Sequence, residues 1–104
     1  MAWLVLVLSG VLEAVWATAL GKTDGFSKPL PTIVFGVALV LSMGGLAYAM
    51  RTLPVGTSYA VWTGIGAALT VTYAMAFDGE AASVLKVLFI LGIIGCVIGL
   101  KMIH

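Results

Sequence analysis

The chain has 104 residues, of which 62% are hydrophobic and 9% are charged, and its formal net charge at pH 7 is +1. Because about a quarter of the residues in a typical soluble domain are charged, this composition predicts a membrane protein. The near-neutral charge provides no basic patch for nucleic acid. Motifs for cofactor binding, nucleophilic catalysis and phosphate binding are absent. We therefore expect no nucleic-acid partner, no metal, no cofactor and a function other than enzyme catalysis.

Four apolar segments are each close to the roughly 20 residues that a membrane-spanning helix needs. Their predicted ranges are about 3–20, 32–50, 56–77 and 83–103, and the short connections between them hold nearly all of the charges. Connections this short make consecutive helices antiparallel neighbours. We predict an all-α membrane protein in which residues 1–104 form a single domain of four transmembrane helices in the lipid bilayer.

The first span contains one carboxylate, Glu13, in the middle of its apolar run. A charge near the midplane of the bilayer costs about 2.5 kcal/mol or more, so an ionisable residue at this depth indicates a functional site. The simpler alternative is a carboxyl that stays protonated and hydrogen-bonds a neighbouring helix. The same helical face carries Trp16 and the small residues Ser9, Gly10 and Ala17. A carboxylate beside an aromatic ring suits an organic cation, whereas an isolated tryptophan is more often a packing residue.

The end of the first span, Ala17-Thr18-Ala19, is similar to a signal-peptide cleavage site. Such peptides begin with positive charge and continue with an uninterrupted apolar stretch. Here no Lys or Arg comes before the segment, and Glu13 interrupts it. We therefore expect the segment to be retained as a membrane span.

Polar residues on the second and third spans indicate further parts of a site. Ser42 in the second span either bonds the carbonyl one turn back on its own helix or orients a carboxylate or a ligand. Tyr59 and Trp62 lie on a stripe of the third span that is too polar to face lipid. An aromatic belt at the membrane interface would explain Tyr59 but not the deeper Trp62. Gly64 and Gly66 predict a hinge, with close helix packing as the alternative.

The fourth span has no polar stripe. Gly92, Gly95 and Gly99 share one of its faces, and residues 95–99 form a GxxxG pattern that lets helix backbones approach each other closely. We therefore predict that this helix serves association. Cys96, the only cysteine, is interpreted as a small packing residue, and His104 as a solvated residue rather than a ligand.

Lys and Arg divide almost evenly between the two sides of the predicted bundle. Arg51 and Lys101 lie on one side, and Lys22, Lys28 and Lys86 lie on the other. Because the orientation of a membrane protein normally follows this imbalance, charge alone barely selects a direction here. Our hypothesis is that the chain inserts both ways and pairs antiparallel with itself. The alternative is a fixed orientation.

Three stretches carry a resemblance to a known family: residues 10–17 (GVLEAVWA), 25–27 (GFS) and 53–67 (LPVGTSYAVWTGIGA). Together with the length, the four spans and the loop sizes, they resemble the small multidrug resistance family over the whole chain. The combination of Glu13 with Trp16 resembles the guanidinium exporter subtype, because the drug-exporting subtype typically lacks this tryptophan. The pair Ser42-Met43 is also similar to the exporter subtype.

The resemblance implies an antiparallel, dual-topology homodimer in the inner (plasma) membrane. It implies an antiporter that exchanges protons for a guanidinium or substituted guanidinium cation by alternating access, with Glu13 shared by proton and substrate. The implied substrate-binding residues are Glu13, Trp16, Ser42, Tyr59 and Trp62; the implied hinge is Gly64 and Gly66, and the implied dimer contact is Gly92, Gly95 and Gly99.

Functions of other classes remain open at this point. A broad-spectrum antiporter for quaternary ammonium and other cationic drugs would share nearly every residue of the motif. A passive channel would conduct without dependence on a proton gradient. A membrane subunit that does not transport would bind no cation and would need a larger partner.

Overall fold

The computed structural model describes residues 1–103, so the predicted solvation of His104 lies outside the described residues. The four helices are α1 (Ala2–Gly21), α2 (Pro29–Ala49), α3 (Val55–Phe77) and α4 (Val84–Ile103). Each has 20 to 23 residues and is apolar enough to cross a membrane. The predicted all-α fold with four spans is therefore confirmed.

Proline determines where α2 and α3 begin. The sequence predicted a second helix from about residue 32, whereas α2 already begins at Pro29 and includes Pro31 in its first turn. A proline in the first turn lacks only an N–H that would have no partner inside the helix, so it does not prevent the helix from starting there. Pro54 immediately precedes the first residue of α3 and is its N-cap.

A tight turn connects α1 to α2. Asp24, Gly25 and Phe26 have positive φ angles of 50°, 68° and 68°, of which only the glycine adopts this region without strain. The buried side chain of Thr23 stabilises the turn: its Oγ1 donates to Leu20 O at 2.8 Å and accepts the Phe26 N–H at 3.2 Å. These bonds fix the direction in which α2 leaves α1.

The central helix of the protein is α1, because both α2 and α3 pack along it. The two flanking helices touch each other at fewer places, and the backbone of α4 approaches only α3 within the described chain. Small residues allow the close contacts. A Cβ on Gly10 would lie 2.8 Å from Ile65 Cβ of α3, and a Cβ on Gly45 of α2 would collide with Ser9 Oγ. Close contact at small residues is how helices associate inside membranes.

The loops between helices meet at the ends expected for antiparallel neighbours. Lys22, after α1, forms an ion pair of 2.9 Å with Asp78, after α3, and lies 5.7 Å from the centre of the Tyr73 ring. Hydrogen bonding to Asp78 and the charge of its carboxylate raise the pKa of Lys22. At the opposite end, the ammonium of Lys101 lies 5.9 Å from the Trp3 ring.

Most of α4 is exposed. Within this helix only Ile90 is buried. A Cβ on Gly92, Gly95 or Gly99 would meet no atom of the described chain within 4 Å. Cys96, interpreted above as a packing residue, is exposed on the same helix. The glycine face of α4 thus has no neighbour at these three positions among the described residues.

Candidate transport site

Glu13 lies near the middle of α1 and is the only Asp, Glu, Lys, Arg or His in α1, α2 and α3. Its carboxyl rests against Gly66 of α3, where a Cβ would collide with Oε1 and would lie 2.8 Å from Cγ. Its oxygen Oε1 is buried and has no hydrogen-bond partner among residues 1–103. Because a buried carboxylate without a partner is strongly unfavourable, this group requires a bound proton or a nearby cation.

Trp16 lies one turn after Glu13 and faces α2. Its ring meets Phe35 edge-on, with the centroids 6.0 Å apart and the planes at 76°. Phe35 in turn lies 5.7 Å from the ring of Phe26 in the first loop. The Nε1 of Trp16 is buried, and no described residue accepts a hydrogen bond from it. An aromatic cluster therefore extends from the turn that follows Glu13 to the end of the molecule at the first loop.

A buried hydrogen-bond chain joins the three helices one turn before Glu13. Trp62 Nε1 of α3 donates to Ser42 Oγ of α2 at 3.0 Å, and Ser42 Oγ donates to the Ser9 carbonyl of α1 at 2.7 Å. In an α-helix that carbonyl also accepts the backbone N–H of Glu13. Ser42 therefore does not bond the carbonyl one turn back on its own helix, the simpler of its two interpretations, because α1 offers a carbonyl where it approaches Gly45.

Tyr59 extends the polar stripe toward the surface. Its ring lies 6.0 Å from that of Trp62, and its side chain is 56% exposed. Within the chain, Trp62 and Ser42 bond each other and Ser9, so neither donates to the buried oxygen of Glu13. Glu13 and Trp16 occupy adjacent turns of α1. Ser42 and Trp62 meet one turn before Glu13, and Tyr59 lies beyond them, next to Trp62.

Gly64 and Gly66 allow contacts on two different sides of α3, which is continuous from Val55 to Phe77. A Cβ on Gly64 would lie 2.8 Å from Val97 Cγ2 of α4, whereas Gly66 faces Glu13. Neither this contact of Gly66 nor the role of the Ser9 carbonyl could be predicted from the sequence pattern. The available indication in the sequence was that small residues share the helical face of Glu13.

An apolar groove of about 660 Å³ lies between α1, α2 and α3 near the first and third loops. Lys22 is its only charged lining residue, and none of the five predicted substrate-binding residues lines it. A groove whose one charge is positive does not suit a cation. Glu13 and its surroundings therefore remain the candidate site.

Comparison with known proteins identifies the family. The sequence profile described as Small Multidrug Resistance protein matches residues 1–94. The chain belongs to the small multidrug resistance family. The match covers α1, α2, α3 and the first half of α4, whereas Gly95 and Gly99 lie beyond it. Family membership and the four spans make the chain a multi-pass protein of the inner (plasma) membrane.

Relatives within the family are similar over nearly their full length. A protein named guanidinium exporter from Proteus vulgaris is 44% identical over 102 residues, which is 98% of each chain. One of the same name from Yersinia pestis is 47% identical over 102 residues, again 98% of each chain. The guanidinium exporter of Escherichia coli (strain K12) is 46% identical over 99 residues, covering 91% of this chain and 94% of the relative. The predicted resemblance to this family and subtype is confirmed.

Proposed function

We propose that this protein exports guanidinium or a substituted guanidinium cation in exchange for protons. The observation that carries the proposal is Glu13, a lone carboxyl with a buried, unpartnered oxygen in three helices that hold no other charged side chain. The names of the relatives at 44% to 47% identity support guanidinium as the cation. The described surroundings of Glu13 support the proton as its other ligand.

Exchange follows from competition for Glu13. A guanidinium ion is planar and forked, and two parallel N–H donors match the two oxygens of a carboxylate. A carboxyl that holds a proton cannot form this ion pair, so proton and cation displace each other. If the site changes sides of the membrane with either occupant bound but not when it is empty and charged, movement of one drives movement of the other.

The surroundings of Glu13 support the proposed lining of the cation site. Trp16 presents an aromatic surface one turn away, and an aromatic face attracts cations. Ser42 and Trp62 supply a hydroxyl and an indole N–H that can reorganise toward the carboxylate when the cation leaves. Tyr59, at 56% exposure, is free to reach a second chain.

A second copy of the chain completes the proposed transporter. Four helices with α1 in the centre can hardly enclose a cation and open to both sides. The glycine face of α4, which includes Gly92, Gly95 and Gly99, has no neighbour at these glycines in the described part of the chain and suits a dimer seam. The near balance of Lys and Arg between the two ends supports an antiparallel, dual-topology pair. In such a pair the inward-open and outward-open states would be equivalent by symmetry, and Gly64 and Gly66 would let α3 bend between them.

The proposal is tested by transport into liposomes or by currents on a solid-supported membrane under an imposed pH difference. We expect guanidinium to drive proton-coupled exchange and tetraalkylammonium ions, which cannot donate hydrogen bonds, to be transported poorly. Equal transport of tetraalkylammonium ions would support the broad-spectrum drug antiporter instead. A guanidinium current that is independent of the proton gradient would indicate a channel.

A further inference from the structure

The carboxyl of Glu13 rests on α3 at a position where no side chain intervenes. A Cβ on Gly66 would collide with Oε1 and Cδ of Glu13 and would lie 2.8 Å from Cγ. The neighbouring glycine, Gly64, faces α4 instead and contacts Val97 there. We use the term Gly66 berth for the backbone surface at Gly66 against which this carboxyl lies.

At the Gly66 berth no described residue places a charge or a hydrogen-bond donor on the carboxyl oxygen Oε1, which is buried there without a hydrogen-bond partner. The helices packed against α1 contain no Lys, Arg or His, and their tyrosines are engaged elsewhere, as are the lysines of α4. Tyr48 lies against Arg51, Tyr59 against Trp62 and Tyr73 against Lys22, while Lys86 pairs with Glu80 and Lys101 lies over Trp3. Burying an ionised carboxylate without a partner is far more costly than burying a neutral one, so the berth favours protonated Glu13.

We propose that Gly66 is a positioning residue that holds Glu13 in its protonated form, and that ionised Glu13 leaves the Gly66 berth for the cation site. This inference rests on the proposed function and deepens it. The two occupants of Glu13 then correspond to two positions of its side chain. A proton keeps the carboxyl against α3, whereas guanidinium binds the carboxyl after it has turned toward Trp16 and the partner chain.

Two alanine variants of α3 distinguish a role of Gly66 in positioning Glu13 from a role as a hinge. Gly66→Ala places a methyl group where the carboxyl lies, and because the obstacle is the end of a flexible side chain, Glu13 can rotate away and the fold is preserved. Gly64→Ala is the matched control, since it makes the same change in helix propensity but crowds Val97 rather than Glu13. A hinge would be disturbed by both variants, and the berth by Gly66→Ala alone.

The titration of Glu13 can be followed directly by NMR. The chain has only two glutamates, Glu13 and the exposed Glu80, so labelling glutamate at the side-chain carboxyl carbon reports on two positions, one of which is an internal reference. The protein is reconstituted in phospholipid bilayers without guanidinium and titrated. We expect the Glu13 midpoint in Gly66→Ala to move to lower pH by about 0.5 to 1 unit, a loss of about 3- to 10-fold in proton affinity. Gly64→Ala and the Glu80 signal should not shift. An unchanged midpoint in Gly66→Ala, or an equal shift in Gly64→Ala, would overturn the proposal.

A second measurement does not depend on the variant. In the unsubstituted protein, solid-state NMR should detect proximity between the Glu13 carboxyl carbon and Gly66 Cα at acidic pH and should lose it at alkaline pH. Proximity that persists after Glu13 has ionised would rule out the berth. Neither measurement uses guanidinium, so failure of guanidinium exchange would reject the proposed function and leave these results standing.

Discussion

The three-helix unit of α1, α2 and α3 differs sharply from α4. In the three-helix unit, small residues bring the backbones together, the buried Ser42 hydroxyl bonds across helices, and the only intramembrane acid is present. In α4 only Ile90 is buried, and the glycines face no atom of the described chain. The first region holds the candidate site, whereas the second lies on the outside of the chain, where lipid or a second copy would cover it. The difference suggests that binding and assembly are assigned to separate helices and can be disrupted separately.

The largest loss of coupled transport is expected from the substitution Glu13→Gln. The amide keeps the shape of the protonated carboxyl but can neither ionise nor form an ion pair with guanidinium, so coupled exchange should be abolished while the fold and the proposed dimer persist. Uptake of guanidinium into liposomes under a pH difference measures the effect, and circular dichroism together with light scattering controls for folding and assembly. Coupled transport retained by this variant would remove Glu13 from the mechanism.

Gly95→Leu should disrupt assembly and leave the three-helix unit intact. A bulky side chain on the proposed seam keeps two α4 backbones apart, so the dimer fraction in detergent should fall. Gly36→Leu on α2 is the control, because a Cβ at either position meets no atom of the described chain within 4 Å. Light scattering of the purified proteins compares them. A stronger effect at Gly36 than at Gly95 would place the seam on α2.

A stability loss is expected from Gly10→Ala inside the three-helix unit. The added methyl would lie 2.8 Å from Ile65 Cβ, close to the α3 backbone. Overpacking of this kind typically costs about 1 to 3 kcal/mol. Gly44→Ala on α2, where a Cβ meets open space, should be neutral or slightly stabilising. Unfolding in mixed micelles gives both values, and equal stability of the two variants would contradict the close approach of α1 and α3.

The smallest effect is expected at the exposed Lys22–Asp78 ion pair. Exposed pairs contribute little, and salt screens them. Lys22→Gln should therefore leave the melting temperature of the protein nearly unchanged at physiological salt. Thermal unfolding at low and high salt checks this, with Lys28→Gln as a control that breaks no ion pair of the structure. A large, salt-dependent drop would assign the loop contact a structural role that the geometry does not support.

The number and type of helices could be predicted because hydrophobic runs of about 20 residues have one stable solution in lipid. Faces could be predicted as well: Glu13 and Trp16 share a side of α1 because helical spacing places them there. The first residue of α2 was harder to predict, since Pro29 is equally compatible with the end of a loop and with the first residue of a helix.

Contacts between helices could not be predicted from the sequence, and the reason is physical. Ser42 bonds a backbone carbonyl, at Ser9, and every residue carries such a group, so no side-chain pattern identifies the partner. Gly66 matters because it has no side chain, and the importance of that space is clear only when Glu13 is known to lie opposite. The periodicity of one helix determines which residues are neighbours along it but not which neighbouring helix they meet.

The exposed thiol of Cys96 is a native labelling site on α4. As the sole sulfhydryl of the chain, it allows a membrane-permeable thiol label to be placed on α4 without any other cysteine having to be removed first. Its reaction rate at rising protein-to-detergent ratios would report how far the surrounding helix surface becomes shielded as copies come together.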